Sequence, residues 1–153
     1  MQYLTTHDLV WINNVVTGKI NRHNYFTLEA AMAGQYSYLK SDDALGQSAE
    51  MLRLLLFRAP FEAGNLRTAF IAALTFLNAN GYATTVDDSE AARVMQLVAL
   101  EQMSPFEAVQ TLTAPASGDL PSGLTLRSLI SHECNHHAAA LKILTERDTP
   151  LPF

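Results

Sequence analysis

The sequence has little of several residue types that would mark a function class. Cys134 is the one cysteine in 153 residues, so no disulfide can form within the chain, and a reducing compartment fits this composition. Fifteen acidic residues against ten lysines and arginines give a net charge of −5, which excludes a broad basic surface for nucleic acid or an anionic membrane. No apolar run approaches the roughly 20 residues of a membrane-spanning helix, and no signal peptide is expected. We therefore expect a cytoplasmic protein that binds neither nucleic acid nor membrane.

What the sequence does contain is apolar material in helical spacing. Hydrophobic residues make up 48% of the chain, enough for the buried core of one domain. Apolar positions recur with helical periodicity nearly throughout, and alternating patterns typical of strands are scarce. We predict an all-α fold with a helical domain over residues 1–113, a Pro- and Gly-rich linker over 114–124, a C-terminal helix over 125–146 packed on the domain or on a partner, and a tail over 147–153.

The strongest pattern is a central helix–loop–helix. A helix over residues 47–57 is followed by Pro60 and Gly64, which break it, and a second helix begins near Asn65. Gly64 can adopt backbone angles that turn successive N–H groups into one concavity, and the first N–H groups of a helix carry partial positive charge. Arg67, in the first turn, can add a bidentate contact to a phosphate oxygen. The residues suggest an anion site, but taken alone they favour a purely structural turn, since Gly-Asn before a helix is common.

This segment resembles the signature of the Fic/Doc (death-on-curing) family, His-Pro-Phe-x-Asp/Glu-Gly-Asn-Lys/Gly-Arg-Thr-Ala. Here it reads Ala59-Pro60-Phe61-Glu62-Ala63-Gly64-Asn65-Leu66-Arg67-Thr68-Ala69. The continuation over residues 70–82, the opening over 3–10 and the segment over 28–31 resemble the Doc branch of that family. The resemblance covers about residues 3–110.

The resemblance implies a helical bundle around the central motif, with a small β-hairpin flap at residues 34–43. Tyr36 and Tyr38 would then lie near the mouth of the pocket; as an alternative, both are ordinary half-buried core residues. It also implies a transferase that moves a phosphoryl or nucleotidyl group from ATP or another nucleotide triphosphate, with magnesium, to a protein hydroxyl. Doc-branch proteins act on the translation factor that delivers aminoacyl-tRNA, and a partner antitoxin neutralises them.

The motif differs from the family signature at the catalytic and the metal-binding positions. Ala59 stands where the family has its catalytic histidine, and Ala63 stands where it has the acidic ligand of magnesium. Leu66 replaces a lysine common in the Doc branch. We therefore expect transfer to be abolished or severely reduced, either in a natural pseudoenzyme or by engineered inactivation. The second explanation does not account for Ala63 or Leu66. The cofactor-binding residues that remain are Gly64, Asn65 and Arg67.

A second motif, His132-Glu133-Cys134-Asn135-His136, matches the His-Glu-x-x-His pattern of zinc hydrolases. On a helix, however, the apolar stripe runs through Cys134, which places His132 and His136 on the solvent side, and the sequence suggests no third ligand. We predict a solvated polar face and no metal site, with metal capture by the two histidines and a true zinc site as alternatives. His137 is predicted to be a core or interface histidine, and Cys134 a small buried hydrophobe. A protein-interaction module without nucleotide binding is the remaining alternative for the whole chain.

Overall fold

The computed structural model describes residues 1–36, 43–117 and 125–148, and within these ranges the fold is all-α with one small sheet. Two three-residue strands accompany the helices. The elements are α1 (Thr6–Thr17), α2 (Tyr25–Met32), α3 (Ala44–Arg58), α4 (Asn65–Ala79), β1 (Tyr82–Thr84), α5 (Asp88–Ala99), α6 (Pro105–Leu112), β2 (Thr113–Pro115), α7 (Leu126–His136) and α8 (Ala138–Thr145).

Local sequence explains where most helices begin. In six of them a side chain before the first turn accepts a hydrogen bond from a backbone N–H of that turn. The six capping residues are Thr5, Asn24, Asp43, Asp87, Ser104 and Thr125. Thr5 and Asp8 form a reciprocal capping box, and Ser104 precedes a proline at the first position of α6. By contrast, α4 follows Gly64 and has no capping side chain of its own at that position. The backbone N–H groups at the start of α4 therefore need a partner from elsewhere.

Helix α4 is the centre of the core. All of its side chains from Thr68 to Leu77 are buried, because α1, α3, α7 and α8 surround it. A helix that is apolar on all sides can be stable only when other elements cover all of them. None of the helices in the described ranges has the length and apolar character to cross a membrane.

The strands β1 and β2 pair antiparallel, with Ala83 opposite Ala114, while α5 and α6 lie between them in sequence. This corrects the predicted linker, because Thr113–Pro115 forms a strand and the linker cannot begin at 114. The predicted flap is only partly described: Ala33–Gln35 form one 3-10 turn, and the ring of Tyr36 packs 4.6 Å from that of Tyr3. The rest of the flap, with Tyr38, lies among residues 37–42, outside the described ranges.

The predicted C-terminal helix over 125–146 is in fact two helices. Helix α7 ends at His136 and α8 begins at Ala138, with a break at His137 (φ −107°, ψ 26°). The imidazole of His137 lies in the core at this break. Helix α7 packs mainly on α4, and α8 packs mainly on α5, so both helices belong to the same core as the rest of the fold.

Candidate anion-binding site

The loop between α3 and α4 begins with an unusual backbone conformation and is hydrogen-bonded to the segment before α2. Helix α3 ends at Arg58, and the next residue, Ala59, adopts the left-handed conformation (φ 43°) that non-glycine residues rarely take. The backbone N–H of Asn24 donates to the carbonyl of Pro60 (3.0 Å), and the N–H of Glu62 donates to the carbonyl of Arg22 (2.8 Å). These bonds attach the loop to the segment that precedes α2.

Gly64 is required by close packing at the start of α4. Its φ is +82°, and a Cβ at this position would lie 2.3 Å from Cγ2 of Thr17. Just before it, the carbonyl of Ala63 accepts a hydrogen bond from Asn13 Nδ2 (2.9 Å). Gly64 thus adopts the unusual backbone conformation that the sequence predicted. In addition, its contact with Thr17 of α1 leaves no room for a side chain.

The side chain of Asn65 holds the loop in shape. Its Nδ2 donates to the carbonyl of Phe61 (2.8 Å), and its Oδ1 accepts from the N–H of Phe61 (3.0 Å). Both functional ends of the amide are used in this way. Cofactor binding by Asn65 stays a prediction, and the contribution that the geometry supports is to fix the backbone from which α4 begins.

The N-terminus of α4 already holds an anion, the carboxylate of Asp148. The backbone N–H of Leu66 donates to Asp148 Oδ1 (3.0 Å), and the N–H of Arg67 donates to Oδ2 (3.1 Å). The guanidinium of Arg67 adds a third bond, from Nε to Oδ2 (2.8 Å). Arg67 Nη1 also donates to the carbonyl of Val16 (2.8 Å), which fixes the guanidinium in position. Three donors thus converge on one carboxylate.

This anion lies in a largely dry environment. The side chains of Arg67 and Asp148 are 11% and 4% exposed. Charge-assisted hydrogen bonds are stronger there than in water, and a helix N-terminus adds a favourable field for negative charge. The start of α4 thus holds a carboxylate, and its donors are of the kind that helix N-termini present to anions.

The sequence did not point to two of the residues that form this site. Leu66 stands in place of a lysine, so the sequence predicted that a side-chain contact with phosphate is lost at this position. Its backbone N–H is nevertheless one of the three donors. Asp148 was assigned only to a tail, and it lies 81 residues from Arg67 along the chain. No local pattern could have revealed it, because the pairing depends on how α7 and α8 return to the start of α4.

The residues present do not fit the magnesium ion that the resemblance implies. Ala63 is buried and offers no ligand atom. The carboxylate of Glu62 accepts from the backbone N–H of Arg22 (3.1 Å) and lies 3.6 Å from its guanidinium, so its charge is already matched. Within residues 1–36, 43–117 and 125–148, no three His, Cys, Asp or Glu side chains come together in a metal-binding group.

Helix α7 places the two histidines of the His-Glu-x-x-His motif on its exposed face and the glutamate on its buried face. His132 and His136 are exposed, as predicted, whereas Glu133 is 4% exposed and faces the core. The carboxylate of Glu133 accepts a hydrogen bond from Asn78 and lies 3.0 Å from His137 Nε2 as an ion pair. In a zinc hydrolase the glutamate would activate water beside the metal, and here it points to the opposite side of the helix.

His137 is the core histidine that the sequence predicted. Its side chain is 2% exposed and lies between two carboxylates, with Nδ1 2.9 Å from Asp88 Oδ1 on one side and Glu133 on the other. Burial opposes the charged imidazolium, but the contacts with Glu133 and Asp88 outweigh it and raise the pKa of His137 above its ordinary value of 6.5. Cys134 is buried as predicted, and burial, with a smaller effect of the Glu133 charge, raises the pKa of its thiol to about 11.

Comparison of the chain with protein-family models, with curated proteins and with solved structures finds no match in any of the three.

Proposed function

We propose that this chain is a catalytically inactive Fic/Doc-like protein that binds a phosphate group, as free anion or as part of a nucleotide, at the start of α4. Support comes from the motif resemblance over residues 59–69 and from one structural observation. The N–H groups of Leu66 and Arg67 and the guanidinium of Arg67 converge on the carboxylate of Asp148. A carboxylate and a phosphate oxygen pair accept the same donors, so an arrangement that holds one suits the other.

The proposed function does not include group transfer, because the chain lacks the catalytic base and the acidic metal ligand of the family. A methyl group at Ala59 cannot take a proton from a target hydroxyl, and loss of a general base alone costs about 10²–10⁴-fold in rate. Ala63 offers no oxygen to a metal, and Glu62 is engaged with Arg22. Binding without turnover is the part of the family's activity that these residues support.

In this proposal Asp148 and the phosphate compete for one set of donors. Asp148 must leave the N–H groups of Leu66 and Arg67 before an external anion can reach them. Apparent affinity for the anion then falls by the fraction of molecules in which the site is open. The wild-type chain is expected to bind phosphate or ATP weakly, and a chain without the Asp148 carboxylate is expected to bind more tightly.

The experiment compares thermal unfolding of wild type and Asp148→Ala with increasing inorganic phosphate, ADP or ATP at constant ionic strength. A ligand that binds only the folded state raises the melting temperature. We expect a larger rise for Asp148→Ala than for wild type. Adding Arg67→Gln to Asp148→Ala should remove the rise, whereas adding Arg93→Gln, at an exposed arginine on α5, should leave it unchanged.

An Asp148→Ala protein that folds and shows no anion-dependent rise would contradict the proposal. The result would instead favour a protein-interaction module in which Asp148 is a permanent structural cap of α4. One observation supports that second candidate: Phe26 and Phe57 are 83% and 78% exposed. They lie two residues after Asn24 and three residues before Pro60, the two residues whose backbones are hydrogen-bonded. Exposed aromatic side chains are common at protein interfaces, where a translation factor or an antitoxin would then bind.

A further inference from the structure

Two histidines on α7 form a pair that no part of the proposed function uses. His132 and His136 are one helical turn apart on the exposed face, with ring centroids 5.6 Å apart and ring planes inclined by 11°. Neither side chain makes a hydrogen bond or an ion pair in the part of the chain that the structure describes. The ring of His136 also packs edge-on against that of His137, with centroids 4.8 Å apart. Each of the two exposed rings can still offer a nitrogen lone pair.

The helix that carries this pair is fixed from behind. Ile130 and Cys134 on the opposite face are buried in the core, and Glu133 is held by Asn78 and His137. The backbone positions of the two histidines are consequently set before any ligand arrives. Because the backbone is already fixed, only the two imidazole side chains must be ordered when an ion binds.

We propose that His132 and His136 form an open, bidentate site for a divalent transition metal ion. Side chains at positions i and i+4 of a helix lie about 5–6 Å apart at Cβ, and imidazole nitrogens bind such metals at about 2.0–2.1 Å. Rotation about the side-chain torsions brings one nitrogen of each ring onto a shared ion. Water fills the remaining coordination positions, because the described residues supply no third ligand.

The chemistry of the two ligands also predicts which ions bind. Imidazole is a good ligand for copper, nickel and zinc, whereas magnesium and calcium prefer oxygen ligands. Affinity should follow the usual order for nitrogen sites, with Cu²⁺ tighter than Ni²⁺ or Zn²⁺. The site is not hydrolytic in this proposal, since Glu133 lies on the other side of the helix, engaged with Asn78 and His137.

The test is calorimetric titration of the chelator-treated full chain with Cu²⁺, Ni²⁺, Zn²⁺ and Mg²⁺ in separate experiments. One transition metal ion per chain is expected, and no heat of binding with Mg²⁺. His132→Ala and His136→Ala should each weaken Cu²⁺ binding by about tenfold or more, because a single imidazole replaces a chelate. His7→Ala, at an exposed histidine on α1, is the matched control and should bind like wild type.

Nuclear magnetic resonance gives a second readout that does not depend on affinity. Addition of Zn²⁺ should shift the ring signals of His132 and His136 together and leave those of His7 and His23 in place. Circular dichroism of the variants checks that α7 is still folded. The proposal is overturned if either single variant binds Cu²⁺ as tightly as wild type, if His7→Ala loses as much affinity, or if Zn²⁺ shifts all exposed histidines alike.

Discussion

Arg67 and Asp148 form the most buried arginine–carboxylate pair in the described ranges, with Nε 2.8 Å from Oδ2. Arg67 lies in the first turn of α4, and Asp148 follows α8, so the pair joins the motif to the C-terminal helices. The same carboxylate caps two N–H groups of α4, a helix that Gly64 leaves without a cap of its own. One side chain thus serves as ion-pair partner and as helix cap.

Replacing Asp148 should destabilise the fold strongly. Asp148→Ala leaves the buried guanidinium of Arg67 without its partner and two N–H groups without an acceptor. Removing one partner of a buried pair costs about 3–5 kcal/mol in free energy of unfolding. Urea denaturation of wild type and variant, in buffer without phosphate, measures this loss.

The matched control is Glu50→Ala, which removes a carboxylate from an exposed pair with Arg53. Exposed pairs contribute less than about 1 kcal/mol, so this variant should stay close to wild type. The Arg67→Met and Asp148→Ala changes should also be less than additive when combined, because the second change removes a charge that the first left unpaired. Equal stability of Asp148→Ala and Glu50→Ala would show that the pair contributes little.

Gly64 should tolerate no side chain, because a Cβ there meets both a steric clash and backbone strain. Comparison with Gly18, where only the strain applies, separates the two effects. Gly64→Ala places a Cβ 2.3 Å from Cγ2 of Thr17 and also strains a backbone with φ +82°. Gly18→Ala meets only the backbone strain, since φ is +73° and no atom lies within 4 Å of the new Cβ. We expect a loss of about 1 kcal/mol in unfolding free energy for Gly18→Ala and of about 2–4 kcal/mol for Gly64→Ala.

A change in Thr17 tests the steric part directly. Thr17→Ser removes the methyl group that meets the new Cβ and keeps the hydroxyl, which donates to the carbonyl of Asn13 (2.7 Å). In urea denaturation, Gly64→Ala should therefore cost less in the Thr17→Ser background than in wild type. An unchanged cost would assign the whole effect to the backbone conformation of Gly64.

The fold class was predictable because its signals are local. Helical periodicity marked the all-α fold, and caps such as Thr5 and Ser104 lie within three residues of the N–H groups that they bind. The break at His137 was not predictable in this way. The apolar stripe continues through Ala138 and Leu141, so the pattern reads as one helix. At the break, the imidazole of His137 lies 2.9 Å from Asp88 in α5, a contact that the local pattern does not reveal.

The location of the candidate site was predictable from the sequence, but some of the residues that form it were not. Gly64 and Arg67 were predicted from the motif, and both contribute to the geometry at the start of α4. The paired strands and Asp148 were missed, because each depends on contact between segments far apart in the chain. Asn65 shows the opposite case: its side chain was assigned to a ligand, and its hydrogen bonds are made within its own loop to Phe61.

Cys134 should be unreactive in the folded protein. Its side chain is buried, and burial together with the Glu133 charge raises the pKa of the thiol to about 11. Because the thiolate is the reactive form, labelling by a thiol reagent at mildly alkaline pH should be slow in native buffer and rapid in concentrated urea. Labelling equally fast in both conditions would mean that α7 opens readily from the core.

The buried His137 should make stability depend on pH. Its folded pKa is raised above 6.5, despite the opposing effect of burial, because Glu133 and Asp88 favour the imidazolium. A raised folded pKa means that the folded state binds the proton more tightly than the unfolded chain. The stabilisation is then fully present below pH 6.5 and is lost as the pH rises through the folded pKa.

His137→Gln removes the titrating group and keeps a donor for Asp88 or Glu133. The difference in unfolding free energy between wild type and His137→Gln should be largest below pH 6.5 and should shrink as the pH rises. Urea denaturation at a series of pH values, with a chelator present, gives this difference. His7→Gln, at an exposed histidine without an ion pair in the described ranges, should give a difference that changes little. A difference for His137→Gln that grows with pH would mean that the buried imidazole is neutral in the folded state.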